Sequence, residues 1–305
     1  MYWQGKAALM QVFSVSPWGN KLHYLAQTRV TRSLPSPDEK FAEGFDRATK
    51  HVEAVTRCWH GGVDRAQFYE FGAGWDLAIP LSLYVYGVRT QVLVDIRRLV
   101  RIELVNETIR KLQRIAREGK AIRIPEPFLE HSEHDRSADL LRNVYGLEYL
   151  APCDARMTGL KSGSIDVITS TNTLEHIPAA DIKLILKECR RLLRADGLMS
   201  FIVDYQDHYS YCDSRITAYN FLKYSDSKWR LYNPAFHYQN RLRHKDYLTL
   251  FREAGFHVIE EQVIPPSADD LAHLRQASIS RRFIENYSIP ELGVRSAQIV
   301  LRVTA

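Results

Sequence analysis

The feature that most constrains the fold is an alternation of short apolar strands and helices between residues 67 and 204. The strand segments are "QFYEFG", "TQVLVDI", "LEYLAPCDA", "SIDVITS" and "LMSFIVD". Each is a nearly continuous apolar run, which is typical of a parallel sheet covered on both faces. Since crossovers between parallel strands are right-handed, the expected fold is a doubly wound α/β sheet.

Two further strands are predicted near the C-terminus, in "HVIEEQVIP" and "SAQIVLRVTA". Helical segments lie before and between them, so the two strands are expected to form a hairpin at one edge of the sheet. The prediction is therefore a mostly parallel sheet of seven strands.

Two segments lie outside this alternation. Residues 1–60 are predicted to be a helical N-terminal extension, in which Ser36 caps a helix, Pro37 takes its first position and Glu39 completes a capping box. Residues 61–305 are predicted to be one domain with an aromatic-rich insert at 205–243. The extension is expected to pack either over the mouth of the site or against a second subunit, which leaves a homodimer open.

Composition excludes several classes of function. The net charge is only +5 and no long Lys/Arg tract is present, so we expect no nucleic-acid partner. No apolar run is long enough to span a membrane. The four cysteines have no metal-ligand spacing, which favours free thiols in a reducing cytoplasm, and no metal site is predicted.

A glycine turn follows the first strand, in "EFGAGWD". The strand ends with Glu70, and Gly72 and Gly74 let a ligand approach the backbone closely. In open α/β sheets, ligands bind beyond the carboxyl ends of the strands. Asp95 ends the second strand, where a carboxylate can accept hydrogen bonds from the two hydroxyls of a ribose.

The charges at this turn indicate what the ligand is. A dinucleotide oxidoreductase needs a third glycine and a helix N-terminus for the pyrophosphate. Here Glu70 and Asp76 place negative charge at that position, which favours a ligand with an ammonium or sulfonium group. An NAD(P)-dependent oxidoreductase remains the alternative enzyme, and a non-catalytic nucleoside-binding module is a third possibility.

Four segments in order resemble the class I S-adenosylmethionine-dependent methyltransferases that act on small molecules. They are "EFGAGWD", "VLVDI", "CDARMTGLKSGSIDVITSTNTLEHIP" and "LKECRRLLRADGLMSFIVD", and the resemblance covers the chain from about Tyr69 to Asp204. It implies a Rossmann-like fold with S-adenosylmethionine as the cofactor.

The resemblance also implies the cofactor-binding residues. Glu70, Gly72 and Gly74 would lie along the methionine part, and Asp95 would bind the ribose. Asp154 and Ala155 would contact the adenine, and Thr171 and Asn172 would lie near the sulfonium. Asp76 replaces the third glycine of the family's loop, and it either changes how the loop closes or contacts the cofactor.

Methyl transfer to a hydroxyl benefits from a base that removes its proton. The first candidate is His208, which closely follows the fifth strand, and His176 and Asp207 are the next candidates. The aromatic insert is predicted to bind a small-molecule acceptor, such as a hydroxyl of a glycan unit or a secondary metabolite. N-methylation of a small amine stays open. Arg241, Arg243 and His237 would either hold an acidic group of the acceptor or form internal ion pairs.

Overall fold

The computed structural model describes residues 2–119, 123–130 and 134–304, with the backbone alone for residues 134–136. The strands are β1 Gln67–Phe71, β2 Thr90–Val94, β3 Leu147–Leu150, β4 Ile165–Thr171, β5 Leu193–Asp204, β6 Phe256–Ile264 and β7 Ser296–Val303. The α-helices are α1 Trp3–Val15, α2 Gly19–Leu25, α3 Asp38–Cys58, α4 Ala78–Val85, α5 Ile102–Arg117, α6 His134–Asn143, α7 Ala179–Leu192, α8 Asp226–Trp229, α9 His244–Glu253, α10 Ala268–Gln276, α11 Arg281–Ile284 and α12 Ile289–Gly293.

The strands form one sheet in the order β3-β2-β1-β4-β5-β7-β6. Strands β1 to β5 pair in parallel, and β7 pairs antiparallel with both β5 and β6. The doubly wound sheet and the antiparallel edge hairpin predicted from the sequence are thus confirmed. Strand order reverses between β1 and β4, and open α/β sheets bind their ligands in a crevice at the carboxyl ends of such strands.

Helices cover both faces of the sheet, which is why the strands are apolar along most of their length. On one face, Tyr69 and Phe71 of β1 pack with Ile182 of α7 and Phe251 of α9. On the other face, Phe68 of β1 packs with residues of α3. Successive β1 residues therefore bury their side chains in two different cores.

The predicted boundaries differ from the structure at three places. Helix α3 begins at Asp38 after Pro37, and the Ser36 hydroxyl donates to Asp76 at 3.1 Å instead of capping the helix. The segment "AADIKLILKECRRLLRADG" has the pattern of a helix that Gly197 closes, but α7 ends at Leu192, because Leu193 already pairs with Ile165 of β4. Helix α6 was not predicted, because its sequence has few apolar residues.

The N-terminal extension packs on the insert of the same chain. Trp3 is 3% exposed, and its ring centroid lies 5.4 Å from that of Tyr209 and 4.7 Å from that of Tyr232. Farther along, Tyr24 stacks on Trp75 of the glycine turn at 5.5 Å. The extension therefore lies over the rim of the crevice. Among the described residues, no helix is long and apolar enough to cross a bilayer.

We expect Trp3→Ala to lower the free energy of unfolding by about 3–5 kcal/mol, because it leaves a large cavity between α1 and the insert. Trp18 is 61% exposed, so Trp18→Ala serves as a matched control with an expected loss of less than about 1 kcal/mol. Urea unfolding measures both values. Equal losses in the two variants would contradict the packing of α1 on the insert.

Candidate functional site

The carboxyl ends of β1, β2 and β4 meet at the crevice. Backbone hydrogen bonds continue past the strands, from the Gly72 N–H to the Val94 carbonyl at 2.9 Å and from the Asn172 N–H to the Ile202 carbonyl at 2.8 Å. The residues that follow each strand are thereby held in register at one edge of the sheet.

The glycine turn uses its two glycines differently. Gly72 has φ 84°, and a Cβ there would come within 2.4 Å of the Thr173 hydroxyl oxygen, so the turn packs against the loop after β4. Gly74 has φ 77°, and a Cβ there would meet nothing within 4 Å among the described residues. The backbone at Gly74 therefore faces open space, where a ligand can approach it.

Glu70 is a buried acid at the floor of the crevice. It is 2% exposed, and the Thr169 hydroxyl donates to its Oε2 at 3.1 Å. Burial raises the pKa of Glu70 to about 8, because the charged carboxylate is poorly solvated there. A cationic ligand near this carboxylate would favour its charged form.

Asp95 lies directly after β2 and is 8% exposed. The backbone N–H groups of Arg97, at 3.2 Å, and of Gly74 face its carboxylate. Burial raises the pKa of Asp95, and these N–H groups partly offset the effect. The acid of the second strand and the glycine turn of the first thus lie side by side, as their spacing in sequence predicts.

Asp76 has two hydrogen-bond partners within the protein. Its Oδ1 accepts from the Ala78 N–H at 3.2 Å, and its Oδ2 accepts from the Ser36 hydroxyl. Its carboxylate therefore occupies the N-terminus of α4 and ties the turn to the N-terminal extension. Of the two roles left open for Asp76, these contacts favour closure of the loop.

Asp154 and Ala155 lie beyond the end of β3. The Arg156 guanidinium donates to both oxygens of Asp154 at 2.7–3.0 Å and lowers the pKa of that carboxyl. Arg156 also pairs with Asp181 at 2.7 Å. The Ala155 side chain packs against the central core. An adenine ring in this region would compete with Arg156 for the carboxylate.

Thr171 is the last residue of β4, and Asn172 follows it at the edge of the crevice. Asn172 has φ 48°, a left-handed conformation that turns the chain sharply. The Thr171 hydroxyl lies 3.0 Å from His51 Nε2, and His51 Nδ1 lies 2.7 Å from the Ser200 hydroxyl. Burial lowers the pKa of His51 to about 3, so this imidazole is neutral. His51 was missed because it resembles one more position on the buried face of α3.

His176 and His208 lie together, with ring centroids 4.8 Å apart. His176 Nδ1 is 2.8 Å from the Tyr238 carbonyl oxygen, and burial lowers the pKa of His176 to about 4. His208 Nε2 is 3.3 Å from Asp204 Oδ2, at the end of β5. The structure therefore brings together the first two catalytic candidates.

Asp207 is fully buried at the start of the insert. Its carboxylate accepts hydrogen bonds from the Tyr209 N–H at 2.9 Å and from the Asn220 amide at 3.0 Å. Burial raises the pKa of Asp207 to about 6. These contacts stabilise the start of the insert, so we interpret Asp207 as structural.

Glu175 is a residue of this site that sequence reasoning missed. It is 2% exposed, and neither carboxylate oxygen has a hydrogen-bond partner among the described residues. Burial and the neighbouring charge of Asp204 raise its pKa well above the usual range. In the sequence it resembles an acid that favours the start of α7, and only the fold shows that it is buried.

Most aromatic residues of the insert form a core of their own. Tyr209, Tyr219, Phe221 and Trp229 are all buried there with Trp3. Most of the aromatic side chains that were predicted to bind an acceptor are therefore buried inside the protein. Tyr211 and Tyr238 are more exposed and lie next to the two histidines.

The basic residues of the insert are also interior. Arg243 is fully buried and donates to the carbonyls of Leu292 and Val294 at 2.8 and 2.7 Å. Arg241 pairs with Asp226 and donates to the Phe221 carbonyl at 2.9 Å. Burial lowers the pKa of His237 to about 2. These contacts support the alternative in which Arg241 and Arg243 bind groups inside the protein and not an acidic group of the acceptor.

A cavity of about 300 Å³ lies between α3 and strands β5, β6 and β7. Its charged lining is Glu43, Asp46, Arg47 and Lys50, and Ile202 and Ala297 line its strand side. Arg47 lies close enough to Glu175 to influence its pKa. The charge of Arg47 partly offsets the raised pKa of Glu175.

Residues 108–201 match a family described as a methyltransferase domain. No curated protein matches the sequence.

Three solved structures illustrate the similarity in fold. A 1,6-didemethyltoxoflavin-N1-methyltransferase of Burkholderia thailandensis, with bound 1,6-didemethyltoxoflavin and S-adenosylhomocysteine, has 13% identity and a TM-score of 0.48 over 93% of this chain and 86% of that one. A SAM-dependent methyltransferase of Leishmania major has 13% identity and a TM-score of 0.47, over 98% and 83% of the two chains. One of Methanosarcina mazei has 14% identity and a TM-score of 0.44, over 82% and 97%.

The strand order confirms the doubly wound fold predicted from the sequence. The match over residues 108–201 supports the predicted methyltransferase domain in that part of the chain. S-adenosylmethionine is the cofactor that the resemblance of the sequence implies.

The buried acid at the floor of the crevice gives a prediction for the free protein. The pKa of Glu70 is about 8 in the folded protein and about 4 in the unfolded chain. The protonated side chain therefore stabilises the folded state fully below about pH 4, and this stabilisation is lost as the pH rises through 8. Glu70→Gln removes this loss. We expect the melting temperature of the variant to rise relative to wild type between pH 5 and pH 8.5.

The matched control is Glu39→Gln at an exposed position of α3, which should follow the pH dependence of wild type. Scanning calorimetry at both pH values measures the difference. A constant offset between Glu70→Gln and wild type would show that the buried carboxyl does not titrate as described.

Proposed function

We propose that this protein transfers the methyl group of S-adenosylmethionine to an oxygen of a small molecule, such as a hydroxyl of a glycan unit or a secondary metabolite. The observation that carries the proposal is the convergence of Glu70, the Gly72–Gly74 turn and Asp95 at the point where the strand order reverses. We expect the protein to act in the cytoplasm without a nucleic-acid partner.

The proposal gives the cofactor one orientation in the crevice. The ribose hydroxyls would donate to Asp95, and the methionine part would lie along the open backbone at Gly74. The cationic end of the ligand would then lie over Glu70, whose charged form it favours. Adenine would lie beside Ala155, with Asp154 near its amino group, and the sulfonium would lie near Thr171 and Asn172.

The same residues argue against a dinucleotide. A pyrophosphate needs the free N–H groups at a helix N-terminus. In this protein the Asp76 carboxylate already accepts from the Ala78 N–H at the start of α4. The negative charge at that position would repel a pyrophosphate, so the contacts favour the sulfonium cofactor over NAD(P).

The acceptor would lie beyond Asn172, against His176, His208 and the more exposed Tyr211. Methyl transfer is an in-line displacement, so the protein mainly has to align the two reactants. A hydroxyl must also lose its proton, and an imidazole at this position can accept it. A neutral amine has a free lone pair and does not need such a base, so the two imidazoles favour a hydroxyl acceptor. His208 is the first candidate for the proton acceptor, and a small amine remains the alternative acceptor.

Calorimetric titration with S-adenosylmethionine and S-adenosylhomocysteine tests the cofactor site. We expect both to bind, and Asp95→Ala to weaken binding by about 1.5–3 kcal/mol, which is typical of lost hydrogen bonds to a charged group. Asp196→Ala is the matched control, because Asp196 is exposed near the other end of β5. It should leave the affinity unchanged.

Titration with NADH separates the alternative enzyme. Tight binding of NADH with no response to either sulfur ligand would refute the proposed function. Equal affinities of wild type and Asp95→Ala for S-adenosylhomocysteine would refute the assigned role of Asp95 alone.

A further inference from the structure

We propose that Glu175, His176 and His208 bind a divalent transition-metal ion next to the cofactor crevice, with Asp204 as an additional ligand. No metal was predicted from the sequence, because these residues do not form a short ligand motif in the chain. Here the ligands come from the loop after β4 and from the loop after β5, which are about 30 residues apart in the chain.

The distances suit a metal site that closes on its ion. One ligand atom from each of Glu175, His176 and His208 lies within 4.8 Å of the others. With metal bonds of about 2.0–2.2 Å, the ligand atoms of a tetrahedral site lie about 3.3–3.6 Å apart. Side-chain shifts of up to about 0.8 Å would therefore bring the three groups onto one ion. Asp204 Oδ2 is already 3.3 Å from His208 Nε2, a usual separation for neighbouring ligands.

The second argument is the unpartnered state of the buried ligand atoms. Glu175 is 98% buried, since its exposed fraction is 2%, and both of its oxygens lack a hydrogen-bond partner in the part of the chain that the structure describes. His208 Nε2 also lacks a hydrogen bond of good geometry there. A buried carboxylate without partners is costly, and a bound cation would remove that cost.

The third argument is the tautomer of His176. A carbonyl oxygen only accepts, so at 2.8 Å from the Tyr238 carbonyl the Nδ1 atom of His176 must carry the proton. The lone pair of a neutral imidazole then lies on Nε2. Metal-bound histidines are commonly oriented in this way, with the other ring nitrogen donating to a carbonyl.

The ligand set indicates the class of metal. Two imidazole nitrogens with one or two carboxylates suit Mn²⁺, Fe²⁺, Co²⁺ or Zn²⁺, whereas Mg²⁺ and Ca²⁺ prefer oxygen ligands alone. Such a site leaves positions open for an oxygen of the acceptor, whose pKa the ion would lower. The activation of an acceptor oxygen by the ion rests on the proposed function. In that case His208 binds the metal and does not act as the general base.

Metal binding is measured on the full-length chain without a histidine tag, after removal of metals with a chelator. We expect calorimetry to show one site for Mn²⁺ and for Zn²⁺, with Mg²⁺ bound at least tenfold more weakly. Glu175→Gln and His208→Asn should each weaken Mn²⁺ binding at least tenfold. The matched control is His257→Asn, an exposed position on β6, and it should bind Mn²⁺ as wild type does.

Pulsed electron paramagnetic resonance of the Mn²⁺-loaded protein identifies the ligands directly. We expect ¹⁴N couplings from imidazole in wild type and in His257→Asn, with the coupling from His208 absent in His208→Asn. Circular dichroism confirms that each variant is folded, and if Glu175→Gln does not fold, His208→Asn alone decides. No Mn²⁺ or Zn²⁺ binding by wild type, or equal binding by His208→Asn, would overturn the proposal.

Titration of the same samples with S-adenosylhomocysteine separates the two proposals. Binding of the sulfur ligand without any binding of Mn²⁺ or Zn²⁺ would overturn the metal site and leave the proposed function standing. Binding of Mn²⁺ at Glu175 and His208 without binding of the sulfur ligand would support the metal site and refute the function.

Discussion

The parallel pairing of β1 with β2 and β4 is the constraint on which the site depends. Parallel strands end at the same edge of a sheet. The turn after β1, the acid after β2 and the loop after β4 therefore lie close together, although they are far apart in the sequence. Backbone hydrogen bonds at Gly72 and Asn172 extend this alignment one residue past the strands. A shift in register would separate Glu70, Asp95 and Asn172, and the crevice would lose its polar lining.

The protein uses its buried charges in two different ways. Arg241 and Arg243 are buried and donate to carbonyl groups, and Arg241 also pairs with Asp226, so both contribute to the structure of the insert. The acids at the crevice have fewer partners, and burial raises the pKa of Glu70 and of Glu175. Although the net charge of the chain is +5, the crevice is therefore suited to cationic ligands. A sulfonium and a metal ion both meet that requirement.

Local patterns explain what could be predicted from the sequence. Apolar strands and amphipathic helices are visible in short segments, so the sheet, its edge hairpin and the positions of Gly72 and Asp95 follow from them. Tertiary contacts explain the rest. Ser36 leaves its predicted cap because Asp76, 40 residues away, accepts its hydroxyl. The burial of Glu175 and His51 is visible only in the fold, and Tyr209 and Tyr219 of the insert are interior in a cluster that includes Trp3 of α1.

A crystal structure with S-adenosylhomocysteine tests the central claim most directly. The measured quantity is the distance from the ribose hydroxyls to the Asp95 carboxylate. We expect it to lie between about 2.5 and 3.0 Å, with the amino-acid part of the ligand beside Gly74 and on the same side of the sheet as Glu70. The account would be contradicted by a ligand bound elsewhere. It would also be contradicted if the turn kept the crevice closed and the Asp95 carboxylate contacted only protein groups.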